Sequence, residues 1–234
     1  MTGRVEKKLH FPFKRRFLSL HRPPVVMAVG DYTFHVHENV LGANSILLHD
    51  ALNSRSEGST EQVVLPNLAR CGLLFGKYID WLYSGRLCLE PSIKWKPCYR
   101  IAEELQDCTF KDALIDIYIE KIVAEDDYPL LGHVIYQYTD RESPHSKLAL
   151  DVAINFWHDK TLQDFCRYMP VVERSQEYFL DLIAAFAVKN RARPTEHVSP
   201  REFFKDIGTC IYHEHTNVKI SYSITPCYKT KWKV

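Results

Sequence analysis

The sequence predicts an α+β fold, in which a small β-sheet is flanked by helices and followed by an all-helical extension. Three observations indicate this class. Residues 25–36 contain two strand-like runs joined by the turn signal Gly30-Asp31. Residues 71–83 place apolar side chains at helical spacing. The second half of the chain holds two Ser-Pro pairs, Ser143-Pro144 and Ser199-Pro200, and this pairing is typical of helix starts.

The composition narrows the class of protein. The chain has 234 residues, 46% of them hydrophobic, which is enough for one large or two small domains. Lysine and arginine number 30 against 29 acidic residues, and this balance argues against binding nucleic acid through its phosphates. No apolar run reaches the roughly 18 residues of a membrane span. The seven cysteines are scattered and odd in number, so we expect a reduced intracellular protein, in the cytoplasm or nucleus.

Changes of pattern along the chain divide it into four parts. Residues 1–23 are basic and irregular, and we interpret them as a solvated leader. Residues 24–122 alternate strand-like and helical patterns, and residues 123–208 are helical throughout. Residues 209–234 lack a strong apolar pattern, so we expect an irregular tail there.

The first domain should begin with a hairpin. Residues 25–29 and 32–36 are the predicted strands, and Ser45 is expected to cap the helix that follows them. Two further strands are predicted, a short one at residues 61–65 and a fourth at residues 86–90.

Three longer helices are predicted within this domain. The first should bury Leu82 and end at Gly85, because glycine suits the left-handed C-terminal position. The second covers residues 95–105. The third is expected to have Thr109 as its cap, Asp112 near its start where the helix dipole favours acidic residues, and one apolar stripe.

The helical region should contain segments at residues 130–138, 143–158 and 175–189, with a capping box opening a last helix at residues 199–202. Cys166 is expected to be a core cysteine, because the sequence indicates neither a base nor an orienting group for a nucleophile. The third segment has a predicted buried face of Tyr178, Phe179, Leu182, Ile183 and Phe186.

Four candidate metal ligands stand near the C-terminus. Cys210, His213, His215 and Cys227 follow the pattern C-x2-H-x-H-x11-C. Two thiolates and two imidazoles would satisfy tetrahedral Zn²⁺, and a metal could hold a tail that lacks an apolar pattern. The spacing differs from that of a standard zinc finger, however. Glu214 lies between the histidines, so an exposed polar turn is the other interpretation, and the sequence leaves both open.

Three segments carry a resemblance to a known family. The first has a glycine, then F-x-V-H, then leucine and serine, and the second ends in Y-S-G. The third has the pattern Y-x-x-A-x-x-L, at Tyr99, Ala102 and Leu105. Over about residues 24–120 the chain resembles the BTB/POZ family, in particular its fungal type. The matching residues are Gly30, Phe34, Val36, His37, Leu41, Ser45, Tyr83, Ser84 and Gly85.

The resemblance implies a scaffold for protein–protein association that forms homo- or hetero-dimers. Some members of the family are substrate adaptors of cullin-3 ubiquitin ligases. They carry a hydrophobic-x-acidic motif, and at that place this chain has Ile93-Lys94-Trp95, without the acidic residue. We therefore expect weak or no cullin-3 binding. The family's charged pocket is also not expected, because Pro24 and Glu38 stand at its aspartate and basic positions.

The sequence thus favours a non-enzymatic interaction module without a cofactor. Glycine-rich phosphate loops, nucleophile elbows and zinc-protease motifs do not occur in it. A cullin-3 adaptor and a zinc-stabilised or nucleic-acid-associated regulatory protein are the alternatives. The sequence does not identify the protein partner.

Overall fold

The structure is a computed structural model, and its described residues are mostly helical with one three-stranded sheet, as the α+β prediction requires. The chain divides into two compact units, the first formed by Met1–Lys111 with Pro226–Val234 and the second by Asp112–Thr225. The predicted leader and the Ile93-Lys94 pair lie outside the described residues. The structure describes residues 24–41, 45–55, 62–87, 89, 95–125, 131–168, 173–191, 198–216 and 227–231.

The sheet has the strand order β2-β1-β3. Strands β1 (Val25–Val29) and β2 (Tyr32–Val36) form the predicted antiparallel hairpin, and β3 (Val63–Val64) pairs in parallel with β1. At the turn, Gly30 has a φ of 60°, and a Cβ there would lie 2.0 Å from the carbonyl oxygen of Ala69. Only glycine fits this turn, since both the backbone conformation and the space exclude a side chain.

The prediction of a fourth strand at residues 86–90 is wrong for the part of it that the structure describes. Arg86, Leu87 and Leu89 are outside any strand. The backbone N–H of Arg86 donates to the hydroxyl oxygen of Ser84 at 3.1 Å, so a local turn satisfies it.

Among the described residues between the hairpin and residue 104 there are four α-helices. Ser45 caps the second as predicted, because its hydroxyl accepts a hydrogen bond from the Leu48 N–H at 3.1 Å. The helices are α1 (Glu38–Leu41), α2 (Ile46–Asn53), α3 (Gly72–Ser84) and α4 (Trp95–Glu104).

Helix α3 contributes aromatic side chains to the core of the first unit. Trp81 is 4% exposed, whereas Leu82 is only half-buried, so the predicted burial of Leu82 is wrong by one position. The Trp81 and Phe110 rings lie 4.9 Å apart, and the Tyr78 and Phe110 rings 5.0 Å apart. The large rings, spaced three residues apart on α3, determine which face is buried. Gly85 ends the helix in the left-handed conformation, as predicted.

Helix α5 (Cys108–Glu125) is buried on nearly every side, where the sequence predicted a single apolar stripe. It also begins before Thr109, which is therefore not its cap. The side chain of Asp107 accepts a hydrogen bond from the Phe110 N–H at 2.9 Å instead. Asp112 is consequently the fifth residue of the helix and not the third, and its side chain is buried.

Five further α-helices follow in the described part of the second unit. Two begin as predicted: the Ser143 hydroxyl accepts from the His145 N–H at 3.1 Å, and Ser199 and Glu202 form a capping box. The helices are α6 (Gly132–Tyr138), α7 (Pro144–Phe156), α8 (Asp159–Tyr168), α9 (Glu173–Arg191) and α10 (Pro200–Ile207).

Two burial predictions fail in this unit. Tyr178 and Leu182 of α9 are buried as expected, but Ile183 is 50% exposed. Cys166 is exposed and not a core cysteine, because its neighbour Phe165 occupies the buried position of α8. No helix within the described residues has both the length and the apolar character needed to cross a membrane.

Candidate metal centre

Two short 3₁₀ helices form the segment that carries the candidate ligands. They span Thr209–Tyr212 and Glu214–Thr216, with His213 between them. The His213 N–H donates to the Cys210 carbonyl at 3.2 Å. In a 3₁₀ turn residues i and i+3 lie above one another, so this turn brings Cys210 and His213 to the same side.

The segment is anchored on α7 by aromatic and polar contacts. The Tyr212 hydroxyl donates to Asp151 at 2.9 Å, and the Lys147 ammonium lies 5.1 Å from the centre of the Tyr212 ring. The Tyr212 side chain is fully buried. This anchor fixes the backbone directly before His213.

The four predicted metal ligands converge. One ligand atom from each of Cys210, His213, His215 and Cys227 lies within 4.8 Å of all the others, so the cluster could hold a metal ion. Bond lengths of 2.0–2.3 Å around tetrahedral zinc place ligand atoms about 3.3–3.8 Å apart. Contraction by about 1 Å would therefore bring the set to zinc geometry.

The exposed-turn interpretation of the H-E-H sequence is wrong. His213 is 0% and Glu214 3% exposed, and His215 is 12% exposed at its side chain. Cys210 is exposed and Cys227 is buried. The cluster is thus mostly enclosed, with one thiol at the surface.

Asp112 of α5 is the polar centre of the surrounding contacts. Its Oδ1 accepts from the Glu214 backbone N–H at 2.7 Å and lies 3.0 Å from His145 Nε2. Its Oδ2 lies 2.9 Å from His215 Nδ1. Burial raises the pKa of Asp112, but hydrogen bonds from the two histidines outweigh it and hold that pKa below the usual range. Asp112 is therefore ionised and accepts from both imidazoles.

Two more carboxylates are buried beside the histidines. Asp116 Oδ2 lies 3.2 Å from His213 Nε2, and Glu214 Oε1 lies 3.6 Å from His145 Nδ1. The Ser143 hydroxyl donates to the same Glu214 oxygen at 3.2 Å. Buried carboxylates need compensating positive charge, so this surrounding favours a cation at the cluster.

Neither a scan against protein-family models nor a search of curated proteins finds a match to this chain. The arrangement of the residues themselves therefore carries the functional argument.

The residues of the BTB/POZ pattern make internal contacts. The His37 N–H donates to the Tyr83 hydroxyl at 2.9 Å, which joins the first two segments of the pattern. The Phe34 ring lies 5.1 Å from that of Phe75, and Val36 and Leu41 are 0% exposed. Gly30, Ser45, Ser84 and Gly85 shape turns and helix ends.

The sequence predicted the four ligands but missed the groups around them: Asp112, Asp116, His145 and Glu214. The sequence does contain one signal for Asp112 and Asp116. They lie four residues apart in a helix that is otherwise largely apolar, and that spacing places both carboxylates on one face. A buried pair of acids on one helix face indicates a partner of positive charge.

Proposed function

We propose that this protein is a non-enzymatic protein-association module in which one structural zinc ion holds the segment around residues 210–215. The convergence of the ligand atoms of Cys210, His213, His215 and Cys227 within 4.8 Å carries this proposal. Its chemistry favours zinc, because two thiolates and two imidazoles form a common tetrahedral zinc set, whereas calcium and magnesium prefer oxygen ligands.

The number of ligands supports a structural role. Catalytic zinc sites use three protein ligands and leave the fourth position to water or substrate. Here four side chains are available to one ion, and two of them, His213 and Cys227, are buried. Such a site would stabilise the fold without performing a reaction.

Metal analysis of the purified protein tests the zinc site. We expect about one zinc per chain in the wild type, and loss of the metal in Cys210→Ser, which removes a thiolate ligand. Cys166→Ser is the matched control, because Cys166 is also exposed but does not belong to the cluster. A wild-type protein that contains no zinc and takes up none in a titration would refute the site.

The association role rests on a separate observation, the exposed apolar side chains of the first unit. Val64 is 62% and Leu73 73% exposed, while the residues of the BTB/POZ pattern are engaged in internal contacts. The resemblance implies an interaction scaffold, and symmetric homodimers are the commonest oligomers of soluble proteins. We propose that a second copy of the chain covers these side chains.

Sedimentation velocity at tens of micromolar tests self-association. The wild type should form a dimer, and Leu73→Glu should weaken it because a charge would enter the apolar contact. Leu180→Glu is the control, since Leu180 is 61% exposed but lies on α9 of the second unit. A wild-type monomer at all concentrations would exclude the second copy as the partner.

A further inference from the structure

We propose that Asp112 is the positioning carboxylate of the metal site, and that His215 binds the ion through Nε2. This inference rests on the metal site proposed above. It assigns the nitrogen of the His215 ring that binds the ion and the carboxylate that orients the ring. The presence of four ligands alone determines neither.

The geometry around His215 determines the ring atom. Asp112 Oδ2 lies 2.9 Å from His215 Nδ1, so the ring donates its Nδ1–H to the carboxylate. A neutral imidazole has one N–H and one lone pair, and the lone pair is then on Nε2. Histidine ligands commonly donate the other ring N–H to a carboxylate in this way, which fixes both tautomer and orientation.

Asp112 is itself held by two groups other than His215. Its Oδ1 accepts from the Glu214 N–H at 2.7 Å and lies 3.0 Å from His145 Nε2. The residue is 1% exposed, so water does not compete for these bonds. Because His145 stands in the first turn of α7, the carboxylate that orients His215 is fixed by two helices, α5 and α7.

Imidazole nitrogen shifts of ¹⁵N-histidine-labelled wild-type protein, recorded during a titration with zinc, test the assignment. We expect the Nε2 signal of His215 to move on zinc binding while its Nδ1 remains protonated. Metal on Nδ1 of His215 would refute the inference and leave the zinc site standing. If no histidine nitrogen responds to zinc, both the site and the inference are refuted.

A matched pair of variants measures the contribution of Asp112. Asp112→Asn keeps the shape of the side chain, and we expect it to weaken zinc binding 10–100-fold in competition with a chromophoric chelator. Asp181→Asn is the control, because Asp181 is also a largely enclosed carboxylate, but its partners Arg141 and Tyr136 lie outside the ligand segment. Circular dichroism checks that both variants fold. Equal zinc affinities for Asp112→Asn and the control would show that Asp112 does not position the ligand.

Discussion

Trp81 and Leu82 are neighbours on α3 with different surroundings, and their substitution should separate the two faces of the helix. We expect Trp81→Ala to cost about 3–5 kcal/mol of unfolding free energy, because its ring is 4% exposed and packs on Phe110. Leu82→Ala should cost roughly 1 kcal/mol, because the side chain is already partly in water. Guanidinium denaturation measures both. If Leu82→Ala costs as much as Trp81→Ala, the buried face is misassigned.

The contribution of the Asp181 charge to stability should depend on pH. Hydrogen bonds from Arg141 lower the pKa of Asp181, and the Tyr136 hydroxyl adds another at 3.1 Å. The folded pKa is below the unfolded value of about 3.9, so the ionised form stabilises the fold above that pH. This contribution is lost as the pH falls through the folded pKa.

A double-mutant cycle of Arg141→Ala and Asp181→Asn measures the contribution directly. The coupling energy should be favourable at about pH 7 and shrink as the pH falls through the lowered folded pKa of Asp181, because the carboxylate is then protonated. A coupling that does not change with pH would mean that the Asp181 charge is not what Arg141 recognises.

At the scale of single residues, the sequence predicted the candidate metal ligands but not the carboxylates that surround them. The Cys and His ligands could be predicted as candidates, because two cysteines and two histidines close in sequence are a common set of zinc ligands. Asp112 was interpreted from its local helix alone, since its partners Glu214 and His215 follow it by 102 and 103 residues. Contacts between residues so far apart leave no local sequence pattern. The carboxylates around the candidate metal ligands are therefore visible only in the structure.

At the scale of elements, two glycines in helices should respond oppositely to alanine. A Cβ on Gly132 of α6 would lie 2.3 Å from the buried Tyr178 ring, so Gly132→Ala should destabilise by about 1–3 kcal/mol. A Cβ on Gly76 of α3 would meet Phe34 at an ordinary 3.6 Å. Gly76→Ala should therefore be neutral or stabilise by up to about 1 kcal/mol, through its helix propensity.

Thermal or chemical unfolding of the two variants, measured side by side, decides this prediction. A stable Gly132→Ala protein would mean that α6 and α9 can move apart without cost. A strongly destabilised Gly76→Ala protein would contradict the space found beside α3.

Element starts were predictable because their chemistry is local. Ser45, Ser143 and Ser199 each cap the helix that directly follows them in sequence. Element faces were less predictable. Ile183 fits the apolar pattern of α9 yet is half exposed, because packing onto neighbouring helices selects Tyr178 and Leu182. The sequence pattern identifies the apolar residues of a helix, but the neighbouring helices determine which of those residues are buried.

At the scale of the whole molecule, removal of the metal should have a local effect. We expect a strong chelator to speed proteolytic cleavage within residues 205–234, because zinc binding is coupled to the order of that segment. The hairpin and α3 should remain resistant, since their hydrophobic contacts do not involve the cluster. Mass spectrometry of the fragments locates the cuts, and added zinc should reverse the effect. An identical cleavage pattern with and without chelator would argue against metal-dependent order.

The α+β architecture was predictable from the hairpin, the helical periodicity and the Ser-Pro helix starts. The function was not predictable to the same degree, because an association surface is specified by its partner and by few residues of its own chain. The metal cluster is the exception. Its ligands belong to one chain and carry recognisable chemistry, so both the pattern and the geometry indicate the same site.

The long separation between Asp112 and Glu214 has a consequence for synthesis in the cell. Asp112 leaves the ribosome 102 residues before the backbone N–H that it accepts from, an interval of roughly 5–20 s at ordinary elongation rates. During that time α5 and α7 can form, but the carboxylate at their contact lacks one of its hydrogen-bond donors. A nascent chain that stops before Glu214 keeps this defect permanently. Premature termination before Glu214 should therefore yield chains that chaperones and proteases recognise as incompletely folded.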